Sequence, residues 1–186
     1  MKVALIPCSP SDWTHEGRIL GRTELPPSDS AELSISTTVE SLRAIAPTKL
    51  FHAPDELSTH MAKAIGKALK LTAKSKDELL EVDMGLWAGL TDEQLRTRFS
   101  SAYHLLEESP LNVSPPGGED FRTAAERLAQ VIAKLRKRAG EGPVAVVLRP
   151  IAMALVRAHC GEIAETEVWS AATDASGVVF VEYRPA

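Results

Sequence analysis

The chain has 186 residues but only two cysteines, 5% aromatic residues, and a net charge of -4 with no basic excess. Each shortage narrows the reading. Cys8 and Cys160 lie at the ends of different elements with no metal-type spacing, so neither a disulfide framework nor a cysteine-held metal is expected. An acidic balance disfavours nucleic acid as a partner, because phosphate backbones select basic surfaces. The only dense basic run, "KLRKRAG" at 134–140, ends a helical pattern, where cations suit the helix dipole. No stretch reaches the ~18–20 apolar residues of a membrane span, and no secretory leader pattern opens the chain. A cytoplasmic protein with reduced thiols, no membrane partner, no metal and no cofactor is therefore expected.

Ordinary globular proportions remain: 44% hydrophobic and 25% charged residues. Strand-like apolar runs recur at "VALI" (3–6), "KLFHA" (49–53), "PVAVVL" (143–148) and "GVVFVEY" (177–183). Helical patterns lie between them. One covers 30–45, with Leu33, Val39, Leu42 and Ile45 at helical spacing. Another covers 55–71, with Asp55 as N-cap and Leu57, Met61, Ile65 and Leu69 on one face. The clearest amphipathic segment is 119–139, with Phe121, Ala125, Leu128, Ile132 and Leu135 as its stripe. The segment 150–161 begins with proline and ends with glycine, the usual helix start and stop. Such alternation predicts an α/β fold: a mostly parallel central sheet with helices on both faces. The whole chain reads as one domain, with a lid or insertion at about 91–118, where one helix signal, "TDEQLRTRFSSAYHLLEE", precedes a turn-rich segment.

Five ordered landmarks then point to a family. "VALIPCSPSDWTHEGRILGRTELPPSD", "LFHAPDELSTHMAKAI", "LLEVDMGLWAGLT", "PPGGEDF" and "PVAVVLRPIAMALVRAHCG" together resemble the histidine phosphatase superfamily, the phosphoglycerate-mutase-like proteins. The resemblance covers nearly the whole chain and implies their three-layer fold. It also implies a site. Family members attack phosphorus with a neutral imidazole inside a cationic cradle. The nucleophilic histidine position falls here on Cys8, and the arginine before it on Pro7. The second cradle arginine falls on Leu57, the second histidine on Arg149, and the general acid on Glu81. Only the acid is retained. The glycines after the two histidines correspond to Ser9 and Pro150, and a proline offers no N–H to an oxyanion.

These replacements predict a non-catalytic member, a pseudophosphatase that keeps the scaffold for ligand binding or protein interaction. Two alternatives stand beside it. One is a phosphomonoesterase or mutase working through an altered site of Cys8, Glu81 and Arg149. The other is a sensor that binds a small phosphorylated or anionic ligand without turnover. Residues placed near the pocket rim by the resemblance are Thr14, Arg18, Arg22, Thr23 and His52. A cysteine-phosphatase loop is disfavoured, because the position six after Cys8 is Thr14 and not arginine. A buried Glu81–Arg149 ion pair is expected to plug the pocket.

Overall fold

Apolar runs form four of the five strands in this computed structural model, which describes residues 2–140, 142–174 and 176–183. The strands are β1 (Lys2–Pro7), β2 (Lys49–His52), β3 (Ala73–Ser75), β4 (Val144–Leu148) and β5 (Val179–Glu182). They make one sheet in the order β3-β2-β4-β1-β5. All neighbours pair in parallel except β1 and β5. The fold class expected from the alternating pattern is the one observed.

Eight α-helices among the described residues, with four short 3-10 turns, complete the fold. They are α1 (Asp12–His15), α2 (Ala31–Arg43), α3 (Glu56–Leu69), α4 (Asp92–Arg98), α5 (Ser100–Glu108), α6 (Phe121–Ala139), α7 (Pro150–His159) and α8 (Val168–Thr173). Strand periodicity sorts the core into two halves. Val3, Leu5, Val144, Val146 and Leu148 face one way, and pack with Phe121, Leu128 and Ile132 of α6 and Ile151 and Leu155 of α7. Ala4, Ile6, Ala145 and Val147 face the other way, toward Ile35, Val39 and Leu42 of α2 and Leu57, Met61 and Ile65 of α3. Because β4 is covered on both faces, all five of its residues are buried.

Two expectations need correction. Leu33 does not join the α2 stripe: it is 74% exposed, and the buried face runs through Ala31, Ile35, Thr38, Val39 and Leu42. A leucine two residues before Ile35 lies about 200° around the helix, on the opposite face. The helix signal at 91–108 is two helices, α4 and α5, broken at Phe99 (φ -132°, ψ 47°). The Phe99 ring packs on the buried Trp87 at this break, with centroids 5.7 Å apart. Three short elements, α1, β3 and α8, carried no clear sequence signal, since each spans only three to six residues.

Register decides where the chain's special residues emerge. Pro7 at the end of β1 pairs with Leu148 at the end of β4, while His52 at the end of β2 pairs with Val147. The residues that follow, Cys8, Arg149 and Ala53 to Asp55, therefore leave the sheet side by side at its C-terminal edge. In open α/β sheets this edge is the usual ligand crevice.

The segments "EVDMGLWAG" and "PPGGED" interlock beside it. Leu86 N–H donates to the Pro116 carbonyl at 3.0 Å, and Glu119 N–H to the Asp83 carbonyl at 2.8 Å. Gly85 has φ +48°, and a Cβ there would stand 2.2 Å from the Pro116 oxygen. Glycine is required at that approach.

Candidate functional site

Arg149 follows β4 and stands at the start of α7, so its side chain starts at the centre of the sheet edge. It is fully buried, and its guanidinium has three identified partners. Nε donates to Asp55 Oδ1 at 2.9 Å, and Nη1 donates to the Gly21 and Thr23 carbonyls at 2.7 and 2.8 Å. Gly21 can turn its carbonyl inward because it holds φ +50°, with Met84 packed where a Cβ would sit. Asp55 is the expected N-cap of α3: its Oδ1 also accepts from Ser58 N–H at 3.0 Å. The expected ion pair between Glu81 and Arg149 is thus replaced by a pair between Asp55 and Arg149.

Glu81 is occupied elsewhere. Its Oε1 accepts from Val82 N–H at 2.8 Å and Ala152 N–H at 2.7 Å, and its Oε2 accepts from Ile151 N–H at 2.9 Å. Arg149 holds the N-cap position of α7, and an arginine side chain has no acceptor to offer the first turn. Pro150 has no N–H to satisfy. The next two amides are orphans, and a carboxyl from about seventy residues upstream caps them.

Burial raises the Glu81 pKa from 4.5 to about 7, against the opposing pull of the three amides and the Arg149 charge. An acid whose pKa is higher folded than unfolded holds its proton better in the folded state. Its contribution to stability is full below the unfolded value, and is lost as pH rises from about 4.5 through about 7. Wild type is therefore expected to lose stability relative to Glu81→Gln across that window, by a few kcal/mol at most. Urea denaturation of both proteins between pH 4.5 and 8 reads the difference. A flat difference would show that Glu81 does not titrate in that window.

Cys8 follows β1, where its N–H donates to the Leu148 carbonyl at 2.9 Å, and Ser9 N–H donates to the Leu57 carbonyl at 3.2 Å. Leu57 is itself fully buried in the apolar half-core under α3. Cys8, Leu57, Glu81 and Arg149 thus gather at one end of the sheet although they are far apart in sequence. Burial, with smaller contributions from the Asp55 and Glu81 carboxylates, pushes the Cys8 thiol up to about 12, outweighing the nearby Arg149. Such a thiol is not a nucleophile near neutral pH. Cys8 is expected to resist iodoacetamide at pH 8 in the folded protein and to react once guanidinium unfolds it. Stoichiometric labelling of native Cys8, followed by mass spectrometry, would contradict the burial argument.

The rim residues divide. Thr14 and Arg18 line a cleft of about 240 Å3 with Gly17, Ile19, Leu20, Glu81, Asp92, Pro150, Ile151, Trp169, Ala172 and Thr173. Arg18 is held by Glu16 and by the Gly89 carbonyl. Arg22 clamps loops instead: Nε donates to the Glu81 carbonyl and Nη2 to Glu119, both at 2.8 Å. Glu119 also receives Arg127, whose Nη1 reaches the Glu78 and Leu80 carbonyls, so this network holds the Glu81 strap in place. Thr23 contributes its carbonyl to Arg149. His52 is buried, with Nδ1 2.7 Å from the Ala53 carbonyl, which makes Nδ1 the protonated nitrogen.

Sequence reasoning missed three participants: Asp55 as the Arg149 partner, Asp92 in the cleft wall, and His60, whose Nδ1 lies 2.9 Å from the hydroxyl of buried Ser9. Helical spacing could have found His60, which lies three residues past Leu57 on α3. Among the described residues, no cluster of three His, Cys, Asp or Glu side chains could hold a metal ion.

The chain belongs to the histidine phosphatase superfamily (branch 1), whose profile it matches over residues 9–186. It is 22% identical to phosphoserine phosphatase 1 of Hydrogenobacter thermophilus over 186 residues, covering 99% of this chain and 88% of that protein. Bacillus stearothermophilus YhfR superposes with a TM-score of 0.81 at 16% identity, covering 97% of this chain and 90% of that one. A mycobacterial glucosyl-3-phosphoglycerate phosphatase, solved with VO3, gives 0.78 at 19% identity, covering 91% of this chain and 86% of that one. At these identities the structural likeness shows the fold, while chemistry has to be argued from the site.

Proposed function

We propose that this protein is a pseudophosphatase, a superfamily member that keeps the scaffold and cleft but does not transfer phosphoryl groups. One observation carries the reading. The Arg149 guanidinium is buried at the sheet edge, already paired with Asp55 and two carbonyls, and the family resemblance assigns the second histidine to this residue. A phosphoryl group entering there would meet the Asp55 carboxylate and a guanidinium already neutralised by it, of whose nitrogens only the buried Nη2 lacks a partner among the described residues. Pro7 and Leu57 supply no cradle charge, Cys8 is a protonated thiol, and the first α7 amides already serve Glu81. Residues 91–118, the lid of this proposal, contribute Asp92 to the cleft wall.

A sensor of a small phosphorylated or anionic ligand is the second reading. It is favoured by Arg18, the cation that lines the cleft. Incubation with p-nitrophenyl phosphate, and thermal unfolding with and without inorganic phosphate, separate these readings. No turnover above that of Cys8→Ser, and no phosphate-dependent shift, is the expected result. Hydrolysis that disappears in Cys8→Ser would establish instead an enzyme working through Cys8, Glu81 and Arg149.

A further inference from the structure

We propose that the cleft beside Glu81 is a binding site for a small, uncharged, largely apolar molecule carrying one primary amide or similar hydrogen-bonding group, and that it rejects phosphate esters. The inference rests on the reading of the protein as a non-catalytic ligand binder, and it names the ligand class.

The walls set the shape and polarity. Ile19, Leu20, Ile151, Trp169 and Ala172 supply apolar surface, and Leu20, Ile151, Trp169 and Ala172 are otherwise almost closed to solvent. At about 240 Å3 the cleft falls below the roughly 300–1,000 Å3 of drug-sized sites, so its occupant is fragment-sized.

Charge in the walls is already answered from within the protein. Both Asp92 oxygens are taken, Oδ2 by the Tyr103 hydroxyl at 2.8 Å and Oδ1 by Trp169 Nε1 at 3.0 Å. Arg18 is paired with Glu16 and bonded to the Gly89 carbonyl. Arg149, the cation behind Glu81, does not line the cleft; its Nε and Nη1 are committed to Asp55 and two carbonyls, and its Nη2 is buried without a partner among the described residues. An anion entering this space meets the Glu81 and Asp92 carboxyls and an arginine already paired, and a cation meets a Glu81 whose burial favours its neutral form. A neutral ligand escapes both conflicts.

One polar position stays open. Glu81 Oε1 accepts two amides, whereas Oε2 accepts one, so Oε2 keeps a free site. Protonated, that site donates; ionised, it accepts. A primary amide satisfies either form, through its carbonyl or its N–H.

The test titrates wild-type protein with three matched probes, benzamide, benzamidine and phenyl phosphate, following the Trp169 indole N–H resonance assigned with Trp169→Phe. Benzamide is expected to shift that resonance with a Kd on the order of 1 mM, and the two charged probes to bind at least about fivefold more weakly. Thr173→Trp, which narrows the exposed rim of the cleft, is expected to weaken benzamide binding. The ligand class is overturned if phenyl phosphate or benzamidine binds more tightly than benzamide, or if none of the three moves Trp169. Tight phenyl phosphate binding without hydrolysis would sink this inference and leave the pseudophosphatase reading standing. Hydrolysis of phenyl phosphate would sink that reading itself.

Discussion

Asp55→Ala is expected to cost about 3–5 kcal/mol of folding stability, the range seen when one partner of a buried ion pair is removed. Two losses combine. Arg149 has no exposure to water, so without Asp55 its charge would sit unpaired at the sheet edge. The same Oδ1 caps α3 through Ser58 N–H, and a lost cap costs about 1 kcal/mol by itself. Asp55→Asn keeps an oxygen for the cap and should be milder than alanine. Combining Asp55→Asn with Arg149→Met removes both charges, and should restore much of the loss despite the unpaired Gly21 and Thr23 carbonyls. Guanidinium denaturation of wild type, Asp55→Asn, Arg149→Met and the double variant completes the cycle, with Asp55→Ala measured beside them. A cost for Asp55→Ala no larger than that of a cap would mean that the Arg149 pair does not hold the sheet edge together.

Rebuilding the family's catalytic set is expected to fail until Asp55 is also neutralised. In the proposed reading, Cys8→His and Arg149→His restore the two imidazoles, and Pro7→Arg and Leu57→Arg restore the cradle cations. With Arg149 gone, however, the Asp55 carboxylate would face the incoming phosphoryl group at the α3 N-terminus. Adding Asp55→Asn to the quadruple variant should raise single-turnover phosphorylation by about a hundredfold or more, since cradle groups act as a unit. The double imidazole variant alone should stay near background. Circular dichroism on each variant first confirms folding, because Leu57→Arg puts a charge into the apolar half-core under α3. If the double variant turned over efficiently, neither the missing cations nor Asp55 would be the decisive loss.

Much of the architecture was legible in the residues. The apolar runs at 3–6 and 144–148 are buried on both faces, and such continuous runs mark central parallel strands. The stripes of α3 and α6 follow helical spacing because each helix buries one face against the sheet. Leu33 and the break at Phe99 were not legible. A leucine's side of the helix is set by whichever face meets the sheet, and the break at Phe99 sits where its ring meets Trp87, which lies twelve residues before it.

The family resemblance carried by the sequence predicted that Cys8, Leu57, Glu81 and Arg149 would reach one end of the sheet. Only the tertiary structure decided which charge met which. Two buried carboxyls, Asp55 and Glu81, compete for partners at that edge, and composition does not rank them. Pro150 leaves two orphan amides at the start of α7, and Glu81 lies where it can cap them. Asp55, held at the start of α3, then becomes the counter-ion of Arg149. The choice follows from helix ends and their unpaired N–H groups, which exist only once the chain has folded.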